Sequence, residues 1–249
     1  MFGSNSVGRV VEFGRADQER PAVDAALARA GTFQGVSPSA FAAMAAHFEL
    51  VSFPERHTVF REGDAGDRCY IITAGRVKVA CTTRRPDTLI AVLGPAEVFG
   101  EIALLEQSPR TSTVTTITAV RAAAMTGAIL RSLMREEPEA AEQMLRALAR
   151  RLRHADDRLW DQTVNDVPGR VAKLLLDLGN RFGECDNGTL RVDHRLNQNE
   201  LAQLAGSTRE SVNKALTLFT VRGWIHMQGS TIDIAEPAAL ANLVSCAVN

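Results

Sequence analysis

Phe99-Gly100-Glu101-Ile102-Ala103-Leu104-Leu105-Glu106-Gln107-Ser108-Pro109-Arg110-Thr111-Ser112 reads as two β-strands joined by a short helix. A helix starting at Gly100-Glu101 presents unpaired backbone N–H groups, and glycine lets an anion come close to that backbone. Arg110, returning at the start of the next strand, is placed to clamp phosphate oxygens in a bidentate way. Glu101 suits a sugar hydroxyl and not a phosphate. Each residue also has a plainer reading, because an Arg beside a Pro is commonly a surface residue and a Glu at a helix start partners the helix dipole.

Outward from this segment, residues 50–125 consist of short β-prone runs at 51–53, 58–60, 69–73, 76–82, 89–93 and 112–120, broken by Gly63, Gly66, Gly75, Gly94 and Gly100. Short strands at such close, regular spacing predict an antiparallel sandwich, jelly roll or barrel. Upstream, residues 1–22 read as a loosely ordered extension, and helix-favouring stretches follow at 22–30 and from 37 to about 47.

Downstream, Pro138 opens a run free of Gly and Pro until Pro168-Gly169. Leu145, Leu148, Leu152, Ala155 and Leu159 recur in alternating steps of three and four, the a/d seam of a helix that pairs with another helix. The other reading is one helix packed on its own barrel. Arg146, Arg150, Arg151 and Arg153 read as charge flanking that seam, opposite Glu139, Glu142, Asp156 and Asp157. Pro168 and Gly169 mark the hinge to the C-terminal block.

In that block a helical stretch at 170–179 carries the stripe Val171, Leu174, Leu175 and Leu178, and a β-prone segment follows at 190–192. Residues 196–216 then fit helix, tight turn, helix. Leu201, Ala202 and Leu204 line the inner face of the first helix, Gly206 makes the turn, and Val212 and Leu216 line the second. Thr208, Arg209, Glu210, Asn213 and Lys214 are left facing outward, where Arg and Lys can read guanine edges and Glu can read cytosine. A solvated charged face on a plain helical hairpin fits the same row. Residues 225–227 and 231–234 flank Gln228-Gly229-Ser230 as a β-hairpin.

The balance of 28 Lys plus Arg against 29 Asp plus Glu gives a formal net charge of −1, so any nucleic-acid surface must be local. No membrane-length apolar run is present, and a cytoplasmic protein is expected. Cys69, Cys81, Cys185 and Cys246 are scattered, with no CxxC and no zinc spacing, so no metal site and no disulfide framework is expected. Cys69 and Cys81 read as strand core residues, and His47, His57 and His154 show no haem pattern. The absence of HExxH, GxSxG and Walker-type motifs argues against an enzyme.

Phe99-Gly100-Glu101 with Pro109-Arg110-Thr111 resembles the phosphate-binding cassette of cyclic-nucleotide-binding domains. Residues 207–214, Ser-Thr-Arg-Glu-Ser-Val-Asn-Lys, resemble the helix-turn-helix of the CRP/FNR transcription regulators. Asp166-Val167-Pro168-Gly169-Arg170-Val171-Ala172-Lys173 and Arg222-Gly223-Trp224-Ile225 are most similar to the actinobacterial CRP branch. The resemblance implies an α+β chain with four parts: an extension (1–22), a cyclic-nucleotide-binding β jelly roll (23–137), a long central dimerisation helix (138–165) and a winged helix-turn-helix (166–249). It implies a homodimer on palindromic double-stranded DNA, with cAMP as effector and no required cofactor. It leaves open whether RNA polymerase is a partner.

By position, the resemblance puts Glu101 on the ribose 2′-hydroxyl and Gly100, Ile102, Arg110 and Thr111 around the cyclic phosphate. Arg209, Glu210 and Lys214 would read base edges, with Thr208 and Gln198 nearer phosphates, and Lys214 stands where many members carry Arg. Relatives that respond to ligand bind adenine with a hydroxyl or amide pair from the central helix. Ala155 and Asp156 occupy those positions here. Ala155 has no hydrogen-bonding side chain, and Asp156 is costly at a buried seam unless paired. Three outcomes stay open: cAMP with reduced allosteric effect, which is favoured, a preference for another cyclic nucleotide, or a vestigial pocket. A subunit regulating a partner protein and a redox-modulated regulator are the alternatives of a different kind.

Overall fold

The computed structural model describes residues 47–81, 88–186 and 188–245. The expected extension, the helical stretches placed before His47, and Cys246 lie outside the described residues. The chain divides into two compact units, one within Met1–Asp87 and Ala91–Arg150 and one within Thr88–Ile90 and Arg151–Asn249.

The first unit runs β1 (Glu49–Phe53), β2 (Thr58–Phe60), β3 (Arg68–Ala74), β4 (Val77–Cys81), β5 (Thr88–Leu93, of which Thr88–Ile90 falls in the second unit), β6 (Val98–Phe99), α1 (Glu101–Glu106), β7 (Thr113–Thr116), β8 (Val120–Thr126) and α2 (Gly127–Glu136). It ends in α3 (Pro138–Val164), whose residues beyond Arg150 belong to the second unit. Two four-stranded sheets, in the orders β1-β8-β3-β6 and β2-β7-β4-β5, form the jelly roll. Every described register between these strands is antiparallel.

The strand expected at 112–120 is interrupted. Its first part is β7, the chain turns at residues 117–119, and β8 then runs back between β1 and β3. Buried Thr116 ends β7 by donating its hydroxyl to the Pro54 carbonyl at 2.6 Å and accepting the His57 N–H at 2.8 Å. β8 itself, Val-Arg-Ala-Ala-Ala-Met-Thr, carries no alternation of apolar and polar residues because both of its faces are buried. Val120, Ala122 and Ala124 join Phe53, Tyr70, Ile72 and Phe99 inside the sandwich, while Ala123 and Met125 join Cys69, Ile71, Leu104, Leu130 and Met144 under the helices. A strand covered on both faces reads as a continuous small or apolar run.

The second unit continues with α4 (Val167–Phe182), β9 (Glu184–Asp186), β10 (Thr189–Asp193), α5 (Gln198–Leu204), α6 (Arg209–Val221), β11 (Ile225–Gln228), β12 (Thr231–Ile234) and α7 (Pro237–Ser245). Its sheet, ordered β11-β12-β10-β9, forms the wing, and the turn at Gly229 has φ +61°. Val171, Leu175, Val212, Leu216, Phe219, Ile225, Ile232, Ile234 and Leu240 are buried in this unit.

Pro168 and Gly169, expected as a hinge, lie inside the first turn of α4. Asp166 caps that helix, its carboxylate accepting the Gly169 N–H at 2.8 Å. A capped first turn is ordered helix, so the break in the backbone falls at Asn165-Asp166, between α3 and α4.

Candidate functional site

The first site is built where β6 runs into α1. Gly100 has φ +81°, a left-handed conformation at the N-cap of α1 with no side-chain cap. A Cβ there would lie 2.7 Å from Arg110 Nη1, 3.2 Å from the Arg68 carbonyl and 3.3 Å from the Phe60 ring. Glycine is therefore required twice, by φ and by the close approach of Arg110. Glu101 and Arg110 are only 1% and 4% exposed.

Arg110 is held on all sides. Its Nη1 donates to the Gly100 carbonyl at 2.9 Å, its Nη2 reaches Asp67 Oδ1 at 3.4 Å, and its guanidinium carbon sits 4.1 Å above the Phe60 ring centroid. Its backbone is pinned to the β2–β3 loop, N–H to the Asp64 carbonyl and carbonyl to the Gly63 N–H, both at 2.8 Å. Nε is buried and has no hydrogen-bond partner among the described residues. Burial lowers the Arg110 pKa, opposed mainly by Tyr70 and Asp67. Since the Asp67 side chain is 75% exposed, it compensates a buried cation poorly. The site is thus a buried guanidinium with unused donor capacity beside a glycine backbone, which fits an anion such as a phosphate.

Of the expected ligand residues, Gly100, Glu101 and Arg110 come together directly. Ile102 is half-buried on α1, and Thr111 is exposed beside Arg110. Ala155 and Asp156 lie exposed on the part of α3 that belongs to the other unit. Phe60, Asp67 and Tyr70 were not expected, yet Phe60 supports the guanidinium and Tyr70 stacks on Phe99 with centroids 5.0 Å apart. Nothing near Phe60 in the sequence signals a partner fifty positions on. Cys69 is fully buried, and burial, reinforced by Glu101, pushes its thiol pKa up to about 12.

The second site is the helix-turn-helix. Asn197 and Glu200 form a capping box at α5, with bonds of 3.0 and 2.8 Å. Thr208 caps α6, accepting the Ser211 N–H at 3.2 Å. Leu201, Ala202, Val212 and Leu216 are buried, and Leu204 is half-buried. Gly206, at φ +59°, makes the turn, and a Cβ there would meet Gln162 Nε2 at 2.9 Å.

Gln198, Thr208, Arg209, Glu210 and Lys214 are exposed, and Asn213 is half-buried. Gln198, expected near phosphates, accepts from both Arg209 Nε and Asn213 Nδ2 at 3.1 Å. Lys214 pairs with Glu210 at 2.8 Å. A groove of about 400 Å³ lies between Asn197, Gln198, Arg209 and the wing residues Gly229 and Ser230.

On α3, Leu145, Leu152 and Leu159 are 61%, 64% and 66% exposed. Leu148, expected on the same seam, packs instead against the core cluster of the first unit. Trp160, absent from the expected seam, is also exposed. Arg146 pairs with Glu142 at 2.6 Å, an exposed contact within one helix.

Residues 50–137 match the cyclic nucleotide-binding domain family, and residues 169–243 match the Crp-like helix-turn-helix domain family. A CRP-like cAMP-activated global transcriptional regulator of Mycobacterium tuberculosis is 51% identical over 222 residues, covering 88% of this chain and 98% of that one. The chain belongs to the CRP/FNR family of transcription regulators. The cyclic AMP receptor protein of Thermus thermophilus is 29% identical over 85% of this chain and 95% of its own. The fold matches that of FixK2 from Bradyrhizobium japonicum, with a TM-score of 0.67 at 21% identity over 79% of this chain and 96% of that chain. As a CRP/FNR regulator, the protein combines a cyclic-nucleotide-binding domain with a DNA-binding helix-turn-helix. Among the described residues, no helix is long and apolar enough to cross a membrane.

Proposed function

We propose that this CRP/FNR regulator acts in the cytoplasm as a homodimer paired through α3, binds palindromic duplex DNA through two α6 helices, and takes cAMP as its effector. The observation that carries the effector reading is the buried Arg110, its Nε unpartnered beside the Gly100 backbone. In this reading Arg110 and the Gly100, Ile102 and Thr111 segment surround the cyclic phosphate, and buried Glu101 accepts from the ribose 2′-hydroxyl. The name of the 51% identical relative supports cAMP over other cyclic nucleotides.

The exposed apolar row Leu145, Leu152, Leu159 supports pairing of α3, since heptad spacing and exposure together mark an uncovered seam. Two-fold symmetry then places half-sites about one helical turn apart, roughly 34–36 Å. Ala155 and Asp156 offer no hydroxyl or amide to adenine, so cAMP couples weakly to DNA binding. Equal affinity for both DNA-binding states would give no coupling at all. The high thiol pKa of Cys69 argues against a redox signal through that residue. The 51% identical relative is named as a transcriptional regulator, which supports a regulatory and not a catalytic role. Titration calorimetry with cAMP tests the effector reading: saturable heat supports it, and no heat at millimolar cAMP overturns it.

A further inference from the structure

Gln198 is the first residue of α5, and the Asn197–Glu200 capping box fixes the backbone on which it stands. Its carbonyl oxygen has two lone pairs, and both are engaged. One accepts the Arg209 Nε–H and the other the Asn213 Nδ2–H, each at 3.1 Å. Arg209 and Asn213 are four residues apart on α6 and therefore share a face. One acceptor thus ties together two neighbouring side chains of the helix that faces DNA.

The consequence for Arg209 is geometric. A guanidinium is a rigid plane, so holding Nε fixes the direction in which the two terminal nitrogens point. Arg209 has no other polar partner among the described residues, leaving those nitrogens available. Reading a guanine requires two parallel N–H donors in one plane, aimed at O6 and N7.

The geometry points to Gln198 as a positioning residue for sequence recognition: its carbonyl oxygen, shared with Asn213, holds Arg209 Nε and so orients the Arg209 fork toward base edges. This role rests on the reading that α6 enters the major groove of a palindromic site.

The test uses the full-length protein, saturating cAMP, fixed salt and fluorescence anisotropy on a palindromic CRP-type duplex. Each G·C pair of the half-site is changed to A·T in turn, and Arg209→Ala identifies the pair that Arg209 reads. Gln198→Met keeps the length of the side chain but removes the acceptor, and Gln198→Glu keeps the acceptor and adds a charge. At the pair read by Arg209, wild type discriminates by roughly 5- to 150-fold, the range for one bidentate contact. Gln198→Met should lose at least about fivefold of this ratio, with binding to scrambled DNA and the salt slope unchanged. Gln198→Glu should weaken binding to every duplex yet keep the ratio.

A Gln198→Met protein that weakens all duplexes equally and retains wild-type discrimination would overturn the assignment while leaving the regulator reading intact. A wild-type protein that does not prefer the palindrome to scrambled DNA would overturn both. The thermal midpoint of each variant, expected within a few degrees of wild type because Gln198 is exposed, separates these outcomes from misfolding.

Discussion

Replacing Gly100 by Ala strikes the proposed effector site at its tightest point. At φ +81°, an alanine carries about 1–2 kcal/mol of left-handed backbone strain. The added methyl also lies 2.7 Å from Arg110 Nη1, inside contact distance. Arg110 is only 4% exposed and cannot swing into solvent, and the carbonyl of Arg68 and the ring of Phe60 block the methyl on its other sides. The guanidinium must therefore shift from its 2.9 Å bond to the Gly100 carbonyl and from the place proposed for it beside the effector phosphate. A hydrogen bond to a charged group contributes about 1.5–3 kcal/mol, which corresponds to roughly 10- to 150-fold weaker cAMP binding. Calorimetric titration of Gly100→Ala measures this. Gly188→Ala is the control, since Gly188, in the second unit, has φ +83° but a methyl there meets nothing within 4 Å. Both variants should melt several degrees early, and only Gly100→Ala should lose affinity. Binding by Gly100→Ala within twofold of wild type would refute the reasoning that Arg110 holds the phosphate.

Replacing both Leu152 and Leu159 by Glu should yield folded monomers by sedimentation, because both side chains are more than 60% exposed and contribute little to the core of a single chain. Thr208→Ala removes the cap of α6 and should cost about 1 kcal/mol in chemical denaturation, with weaker binding to every DNA duplex. Iodoacetamide at pH 8 should label exposed Cys185 and spare Cys69 in peptide mass spectrometry. Because folding raises the Cys69 pKa to about 12, its contribution to stability is complete below the ordinary thiol pKa and is lost as pH rises from about 9 through 12. Cys69→Ala should flatten that part of the stability curve.

The residues that declare themselves in the sequence are those whose roles are local. Gly100, Glu101 and Arg110 lie within a dozen positions, and the backbone demand on Gly100 is one that only glycine meets cheaply. The caps Asn197, Glu200 and Thr208 are just as local, with partners three residues away, yet none was expected as a cap and Thr208 was expected only in the outward row near phosphates. β8 was not legible because alanine favours helix, and burial of both faces erased the alternation that marks a strand. Leu148 fits the heptad, but a helix leaving a domain has its first turns covered by that domain, and only the structure says where the cover ends. Pro168-Gly169 suggested a hinge by composition, whereas the Asp166 cap draws both residues into α4. The Phe60 ring under Arg110 and the Gln198 bridge depend on contacts between elements, which local spacing does not encode.

The most direct measurement is anisotropy of a labelled palindromic CRP-type duplex titrated with the purified protein at fixed salt, with and without cAMP. The account predicts tight, salt-dependent preference for the palindrome over a scrambled duplex, strengthened by cAMP less than about tenfold, a coupling below about 1.4 kcal/mol. Equal affinity for palindrome and scrambled DNA, with cAMP present and absent, would contradict it.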